Sequence, residues 1–379
     1  MTLVKTNFES EYVVKVHDAK LGMTGVLVIH NTVLGPGKGG IRMTANVTEE
    51  EVLRLATTMT WKNAIAGIPF GGAKAGLVIP HGTTREVKKQ MVQSFARALK
   101  PFLVSKYIAG PDVNSGEEEM QWFVEAADDW NAATGKPANY CVAHEGSEKC
   151  GLPHELGSTG YGVAQAAAIA ARIAGIDIKG ATVAIHGFGN VGTFAYKFLT
   201  EMGAKVVAIA DHTGAAYSES GFDSIKIQEI VEKKHHVADG LKDETIKAED
   251  FWGLKVDILI PASVTDVIND SNKNDIKAKI IVEGGNIVMR ENIEKELFER
   301  GIMIVPDFVA NAGGVISSYA EYAGYNPKKM FKMVKDKITA ATENVLLTSV
   351  KKKINPREVA MNQAVEIVEK AMDKRRATF

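Results

Sequence analysis

Cysteine is nearly missing from this sequence, with two in 379 residues. So few cannot build the disulfide framework of a small secreted domain, which predicts a reducing, cytoplasmic setting. No apolar run reaches the ~18 residues of a membrane-spanning helix. Lys5, Glu9 and Glu11 break up any signal-peptide core near the start. An excess of one charge is missing as well. Forty-five Lys and Arg stand against 46 Asp and Glu, a net charge of −1, so no bulk attraction to nucleic acid or to an anionic membrane is expected. Internal repeats and low-complexity tracts do not occur. What is there is an ordinary globular composition, 45% hydrophobic and 24% charged, in a chain long enough for two or three domains.

In the segment from Val47 to Lys62, Val52, Leu55, Ala56 and Met59 recur at helical spacing. Thr48 with Glu51 makes a capping-box start, and the acidic first turn suits the helix dipole, so Lys62 falls at the C-terminal end. The next stretch, GIPFGGAKAG from Gly67 to Gly76, reads as a glycine-rich turn that places Lys74 beside approachable backbone. Further on, short apolar runs alternate with helical stretches: ATVAIHG at 181–187, KVVAIAD at 205–211, KVDILIP at 255–261, AKIIVEGG at 278–285 and GIMIVPD at 301–307. Such runs are the pattern of buried parallel strands, and the helices between them complete βαβ units of a doubly wound sheet. After about Ser317 the pattern is helical and charged to the end.

The run Gly187-Phe188-Gly189-Asn190-Val191-Gly192 directly follows the first of those strands and opens an apolar helical stretch. Gly187 permits a tight turn, Gly189 lets backbone approach a pyrophosphate, and Gly192 lets helix and strand pack closely. The helix N-terminus adds free N–H groups and a favourable dipole. A second strand ends in Asp211, 19 residues after Gly192. Its carboxylate would accept from the adenosine ribose, which slightly favours NAD, although His212 and Thr213 could meet the 2′-phosphate of NADP. The cofactor is therefore expected to be NAD or NADP.

Three lysines sit in glycine-rich or helix-end settings: Lys38 in GPGKGGIR, Lys62 in TWKNA and Lys74 in GGAKAG. Read by themselves they are either solvated surface charges or cations arranged for a ligand carboxylate, with burial lowering the pKa of one of them. Asp112 in GPDVNSGE is either turn chemistry or a proton-transfer carboxylate.

At these residues the sequence resembles the glutamate, leucine, phenylalanine and valine dehydrogenase family, most closely the glutamate type. KGGIR, MTWKNA, PFGGAKAG, GPDVN, GSTGYGV, GFGNVG, EGGN and NAGGVISSYAE occur in the family's order over nearly the whole chain. The resemblance implies an α/β protein with an N-terminal substrate-binding and oligomerisation domain (1–156). A Rossmann-type dinucleotide domain (157–320) and a C-terminal helical segment (321–379) returning to the first domain would follow. It implies reversible oxidative deamination of L-glutamate to 2-oxoglutarate and ammonium by a homo-oligomer, the hexamer being favoured. Lys38 would hold the distal carboxylate with Ser318, Lys62 the α-carboxylate, Lys74 would be the catalytic lysine, and Asp112 would move protons. Thr159, Asn286 and Asn311 would orient nicotinamide or substrate. The flank IHNTVLGPG is nearer the leucine type, whose members carry an apolar residue where Lys38 stands. A branched-chain or aromatic amino-acid dehydrogenase and a catalytically silent subunit are thus the competing readings. Finally, Cys141, His144, Cys150 and His154 crowd together without a paired C-x-x-C. A loop leading into the nucleotide domain is expected there, with no metal.

Overall fold

The computed structural model describes residues 9–144, 147–233 and 236–377. Packing divides the chain into two compact units: residues 9–156, 315–333 and 361–377 form one, and 157–314 with 334–360 the other.

The first unit is built on a sheet with strands β1 (Tyr12–Asp18), β2 (Met23–Asn31), β3 (Gly37–Lys38), β4 (Ile41–Thr44), β5 (Gly71–Val78) and β6 (Tyr107–Ile108). Their order is β1-β2-β5-β3-β6, and β4 also pairs with β5. β5 runs antiparallel to β2 and parallel to β3 and β4. Helix α1 (Glu49–Ile65) lies on one face, and α2 (Arg85–Leu99) and α3 (Glu117–Ala127) supply core to the other. Alternation along β2 sends Leu27 and Ile29 into the core shared with Phe95 and Phe123, and Val26 and Val28 into the one shared with Val52 and Ala56.

Thr48 caps α1 by accepting the Glu51 N–H at 3.2 Å, as the capping pattern predicts. The Glu51 carboxylate, however, meets Arg42 at 2.5 Å rather than folding back on the cap. The expected glycine-rich turn around Lys74 is a correction. Gly71 to Val78 is a central, almost wholly buried strand. Its glycines serve close approach: a Cβ on Gly72 would lie 2.1 Å from Thr60 Oγ1 and 2.3 Å from Thr60 N in α1. Helix and strand therefore touch through backbone, and Lys74 emerges on that same strand.

A second correction concerns the cysteines. A two-stranded hairpin of β7 (Cys141–His144) and β8 (Ser147–Cys150) replaces the expected loop. Cys141 and Cys150 face each other across it, their Cα atoms 4.0 Å apart, and are joined by a disulfide. A nine-residue separation says nothing of pairing until a hairpin brings its ends together.

The second unit begins with α4 (Ser158–Ile173), followed by β9 (Thr182–His186), α5 (Asn190–Glu201), β10 (Lys205–Asp211), β11 (Gly214–Tyr217), α6 (Ser224–Glu232), α7 (Val237–Gly240), β12 (Thr245–Ile246), β13 (Ile258–Pro261), β14 (Ile280–Val282), α8 (Glu291–Glu299), β15 (Met303–Val305) and α9 (Asp307–Ala310). The sheet order is β12-β11-β10-β9-β13-β14-β15. The five strands from β10 to β15 are parallel and correspond to the five apolar runs, while β11 and β12 add an antiparallel edge. Order reverses between β9 and β13, the switch point at which doubly wound sheets bind ligands.

Helices α10 (Gly313–Tyr322), α11 (Pro327–Lys352) and α12 (Pro356–Arg376) complete the chain. The C-terminal segment is shared: residues 334–360 cluster with the second unit and 361–377 with the first. A helical pattern identifies helices but not the partner each turn will meet. No helix among the described residues is long and apolar enough to cross a membrane.

Candidate active site

In the first unit, charges from β3, β4, β5 and the segment after β6 come together. Lys38 lies on β3, paired with Gly72 of β5, two residues before Lys74. Lys74 Nζ meets Asp112 Oδ2 at 3.0 Å, and Arg42 Nε meets the same oxygen at 3.0 Å. The turn carrying Asp112 is fastened by Ser115, whose hydroxyl accepts the Asp112 N–H at 2.8 Å and donates to Ile41 O at 2.7 Å.

Burial lowers the Lys74 pKa, since a dry site disfavours the ammonium, and Arg42 adds to this while Asp112 opposes it. Burial alone would raise Asp112, but Lys74 and Arg42 outweigh it and hold the carboxyl below its ordinary value. Asp112 is therefore ionised at neutral pH, beside a lysine that gives up its proton more readily than usual.

Lys38 is 3% exposed. Its ammonium donates to Ala109 O at 2.5 Å, and burial lowers its pKa to about 7; Glu321 opposes that shift, and Lys136 and Lys74 reinforce it. Glu321 is itself fully buried and pairs with Lys136 at 2.6 Å. One of its oxygens also accepts the Gly135 and Leu152 N–H groups, each at 2.8 Å. Lys62 sits half-buried in the last turn of α1, where its charge is felt by His154. Ser318 is half-buried on α10, next to Tyr319, whose ring packs edge-on against Phe70.

The second unit gathers the remaining residues. Gly187 has φ +102°, a left-handed region that favours glycine, and a Cβ there would meet Ala262 at 2.7 Å. A Cβ on Gly192 would strike Gly187 O at 1.9 Å, whereas one on Gly189 would meet nothing within 4 Å. Gly189 is the N-cap of α5 and supplies no side-chain cap, so the positive end of the helix dipole lies at this turn. Phe188 packs edge-on against Tyr196, and the Val191 carbonyl lies over Gly160, the neighbour of buried Thr159. A glycine turn at a helix N-terminus, with open space beside Gly189, is a backbone cradle that could hold a pyrophosphate.

Asn311 donates to Asn286 Oδ1 at 3.0 Å and to the carbonyls of Gly284 and Gly285. Ile287, just after Asn286, has φ +51°, and its N–H is held by Asp307 Oδ2 at 2.9 Å. Behind this loop Arg357 is surrounded by Glu283, Glu294 and Asp307. Asp211 accepts from Thr213 N and Oγ1 and from Val237 N, with His236 3.8 Å away. Burial would raise its pKa, but these hydrogen bonds and His212 keep it below the ordinary value.

Arg42, Ser115, Lys136, Glu321 and Arg357 carried no assignment from the sequence. Arg42 and Glu321 stood inside the motifs KGGIR and SSYAE, and Lys136 between glycine and proline in TGKP. Nothing in the local pattern marked Arg357.

Residues 151–376 match the family model described as Glutamate/Leucine/Phenylalanine/Valine dehydrogenase, and residues 9–129 match the dimerisation domain of Glu/Leu/Phe/Val dehydrogenases. The NADP-specific glutamate dehydrogenase of Saccharolobus shibatae is 38% identical over 357 residues, 91% of this chain and 84% of that protein. The NAD-specific glutamate dehydrogenase of Staphylococcus aureus is 35% identical over 353 residues, covering 89% and 82%. Among solved structures, glutamate dehydrogenase from Peptoniphilus asaccharolyticus superposes with a TM-score of 0.82 at 29% identity, over 97% of this chain and 92% of that one. The hetero-hexameric glutamate dehydrogenase of Thermus thermophilus, in its Leu-bound form, shares the fold with a TM-score of 0.80 at 24% identity, over 97% and 90%. The chain belongs to the glutamate/leucine/phenylalanine/valine dehydrogenase family.

Proposed function

We propose that the protein is a glutamate dehydrogenase. It would convert L-glutamate, water and NAD(P)⁺ reversibly to 2-oxoglutarate, ammonium, NAD(P)H and a proton. The observation that carries the choice of substrate is Lys38, a buried ammonium whose hydrogen bond goes to a carbonyl. Such a group is costly unless a carboxylate completes it, and glutamate brings one at that end, whereas leucine or phenylalanine brings hydrocarbon. Ser318 would add a hydroxyl donor, and Lys62 would take the α-carboxylate.

Lys74 and Asp112 divide the proton work. Lys74, pushed toward its neutral form, accepts a proton from the water that attacks the substrate iminium and steadies the charge that develops on the carbinolamine. Asp112, kept ionised, receives and returns the amine protons, while Arg42 and Ser115 hold it in place. When bound, the nicotinamide supplies the redox step by taking hydride from Cα. The glycine cradle would anchor its pyrophosphate, and Thr159, Asn286 and Asn311 would orient the ring. The retained Lys74–Asp112 pair argues against a silent subunit.

NAD is the proposed preference, because an ionised Asp211 beside the ribose would repel a 2′-phosphate. The described relatives include both NAD- and NADP-specific enzymes. A homo-hexamer is the proposed assembly. It is supported by the dimerisation-domain match and by the half-exposed Tyr12 and Val13 on edge strand β1. Initial rates with 2-oxoglutarate, ammonium and each reduced nicotinamide test the reading. Preference for the 2-oxo acid of leucine, valine or phenylalanine would refute it.

A further inference from the structure

The Cys141–Cys150 bond has no part in the proposed chemistry, yet it closes the hairpin at the end that meets the buried charges. Lys149, next to Cys150, donates to Asn131 Oδ1 at 2.7 Å and to the Tyr322 carbonyl, its ammonium lying over the Trp130 ring. Two residues beyond Cys150, the Leu152 N–H is held by Glu321. Glu321 is also the anion that opposes the loss of the Lys38 proton. The bonded cysteine is thus one residue from a lysine anchored on the Glu321 helix, and two from an amide bound to Glu321 itself. Both cysteines are half-buried rather than enclosed in the core.

We propose that Cys141–Cys150 is a reversible thiol–disulfide exchange site, and that its redox state sets the affinity of the Lys38 pocket for the amino acid. The co-reactant is a dithiol. One of its thiolates attacks a cysteine sulfur, forming a mixed disulfide and releasing the other cysteine as a thiolate. Its second thiol then displaces the first cysteine, leaving two protein thiols and an oxidised, disulfide-form reductant; two electrons and two protons have been transferred. Once the cross-link is lost, the hairpin base is held by its backbone ladder and by Lys149. The Leu152 amide opens more often, and Glu321 spends less time in the position that supports a charged Lys38. Lys74 and Asp112, tied to each other and to Arg42, are unaffected. The link to substrate affinity rests on the reading of Lys38 given above; the link from disulfide to Glu321 does not.

The test compares full-length protein oxidised with oxidised glutathione and reduced with dithiothreitol, with the number of alkylated thiols read by mass. Reduction should raise KM for glutamate about fivefold, the lower end of coupling between distinct sites, and leave kcat and the cofactor KM in place. Hydrogen exchange at the Gly135 and Leu152 amides should quicken, and re-oxidation should restore both. The Cys141→Ser, Cys150→Ser double variant should behave as the reduced protein and ignore dithiothreitol; a persisting response would overturn the proposal. So would complete reduction with unchanged exchange at those amides, whichever amino acid the enzyme uses. Should the enzyme reject glutamate, the functional reading falls separately, and the exchange measurement still decides whether the disulfide governs Glu321. If the double variant fails to fold, redox titration of the unmodified protein carries the same decision.

Discussion

Replacing Lys38 by methionine removes the charge and keeps an unbranched side chain of similar length. A glutamate side-chain carboxylate entering that pocket would then be buried without its partner, which costs about 3–5 kcal/mol, or about 10²–10⁴-fold in kcat/KM. Norvaline, with an apolar end, gains from the same change. The pH dependence is the sharper measurement. Lys38 has its pKa lowered to about 7 in the folded protein, so the ratio of kcat/KM for glutamate to that for norvaline should fall above pH ~7, by up to about tenfold per pH unit. Taking the ratio cancels the titrations of Lys74 and of the substrate amino group, which both amino acids share. Stability should move the other way. The unfolded chain keeps the Lys38 proton up to about 10.5 while the native state releases it near 7, so stability rises with pH between those values, by about 5 kcal/mol at most. Urea unfolding at pH 7 and pH 9 should show this increment shrinking in Lys38→Met. A glutamate-to-norvaline ratio that is flat with pH in the unmodified protein, or unchanged in the variant, would refute the assignment of Lys38 to the substrate.

Lys74→Ala and Asp112→Asn should each lower kcat by at least about 10²-fold while leaving cofactor affinity, read by nicotinamide fluorescence, close to normal; near-normal turnover in either removes that residue from the mechanism. Gly189→Ala should fold normally and lose cofactor binding, because its Cβ would occupy open space beside the uncapped helix, whereas Gly192→Ala should unfold at a lower temperature because its Cβ strikes Gly187 O. Calorimetry with and without cofactor separates the two. Arg357→Met should cost about 3–5 kcal/mol in urea unfolding, since three buried acids would lose their shared cation. Glu283→Gln should cost far less: burial, reinforced by Glu294 and Asp307 against Arg357, raises its pKa well above the ordinary value, so that a neutral amide resembles what is already there.

The second unit was the more legible part of the chain. Its parallel strands are short apolar runs, largely buried, and Gly187 and Gly192 each hold a backbone position where a side chain would clash. β11 and β12 escaped because GAAY and TI carry neither length nor alternation. In the first unit β5 was misread for a physical reason. Glycines in Gly67–Gly76 resemble turn punctuation, and only the arrival of α1 against Gly72 reveals that they clear a path for another backbone. The cluster itself was half visible. Lys38, Lys74 and Asp112 could be named one at a time, but their meeting depends on strand order, and Arg42 and Glu321 gain meaning only from the carboxylate and the ammonium they face. The sequence shows the number of cysteines but not that a hairpin sets Cys141 opposite Cys150, within bonding reach.

The two units treat buried charge in opposite ways, and the difference indicates where a ligand's charge is wanted. Around Arg357 one cation serves three acids. Burial raises the pKa of Glu283 and Glu294 there, so protons make up the deficit and the cluster needs no ligand charge to be stable. In the first unit the excess has the other sign. Lys38, Lys74, Lys136 and Arg42 face Asp112, Glu51 and Glu321. Arg42 and Lys136 have close carboxylate partners, and Lys74 shares one with Arg42. Lys38 bonds a carbonyl, and its charge is offset from a distance by an acid already paired elsewhere. Losing a proton relieves that lysine in the free protein, whereas binding an anion relieves it without that loss and draws the proton back. A substrate bearing a second carboxylate would, on the proposed reading, supply the missing charge at Lys38, and an apolar amino acid would not.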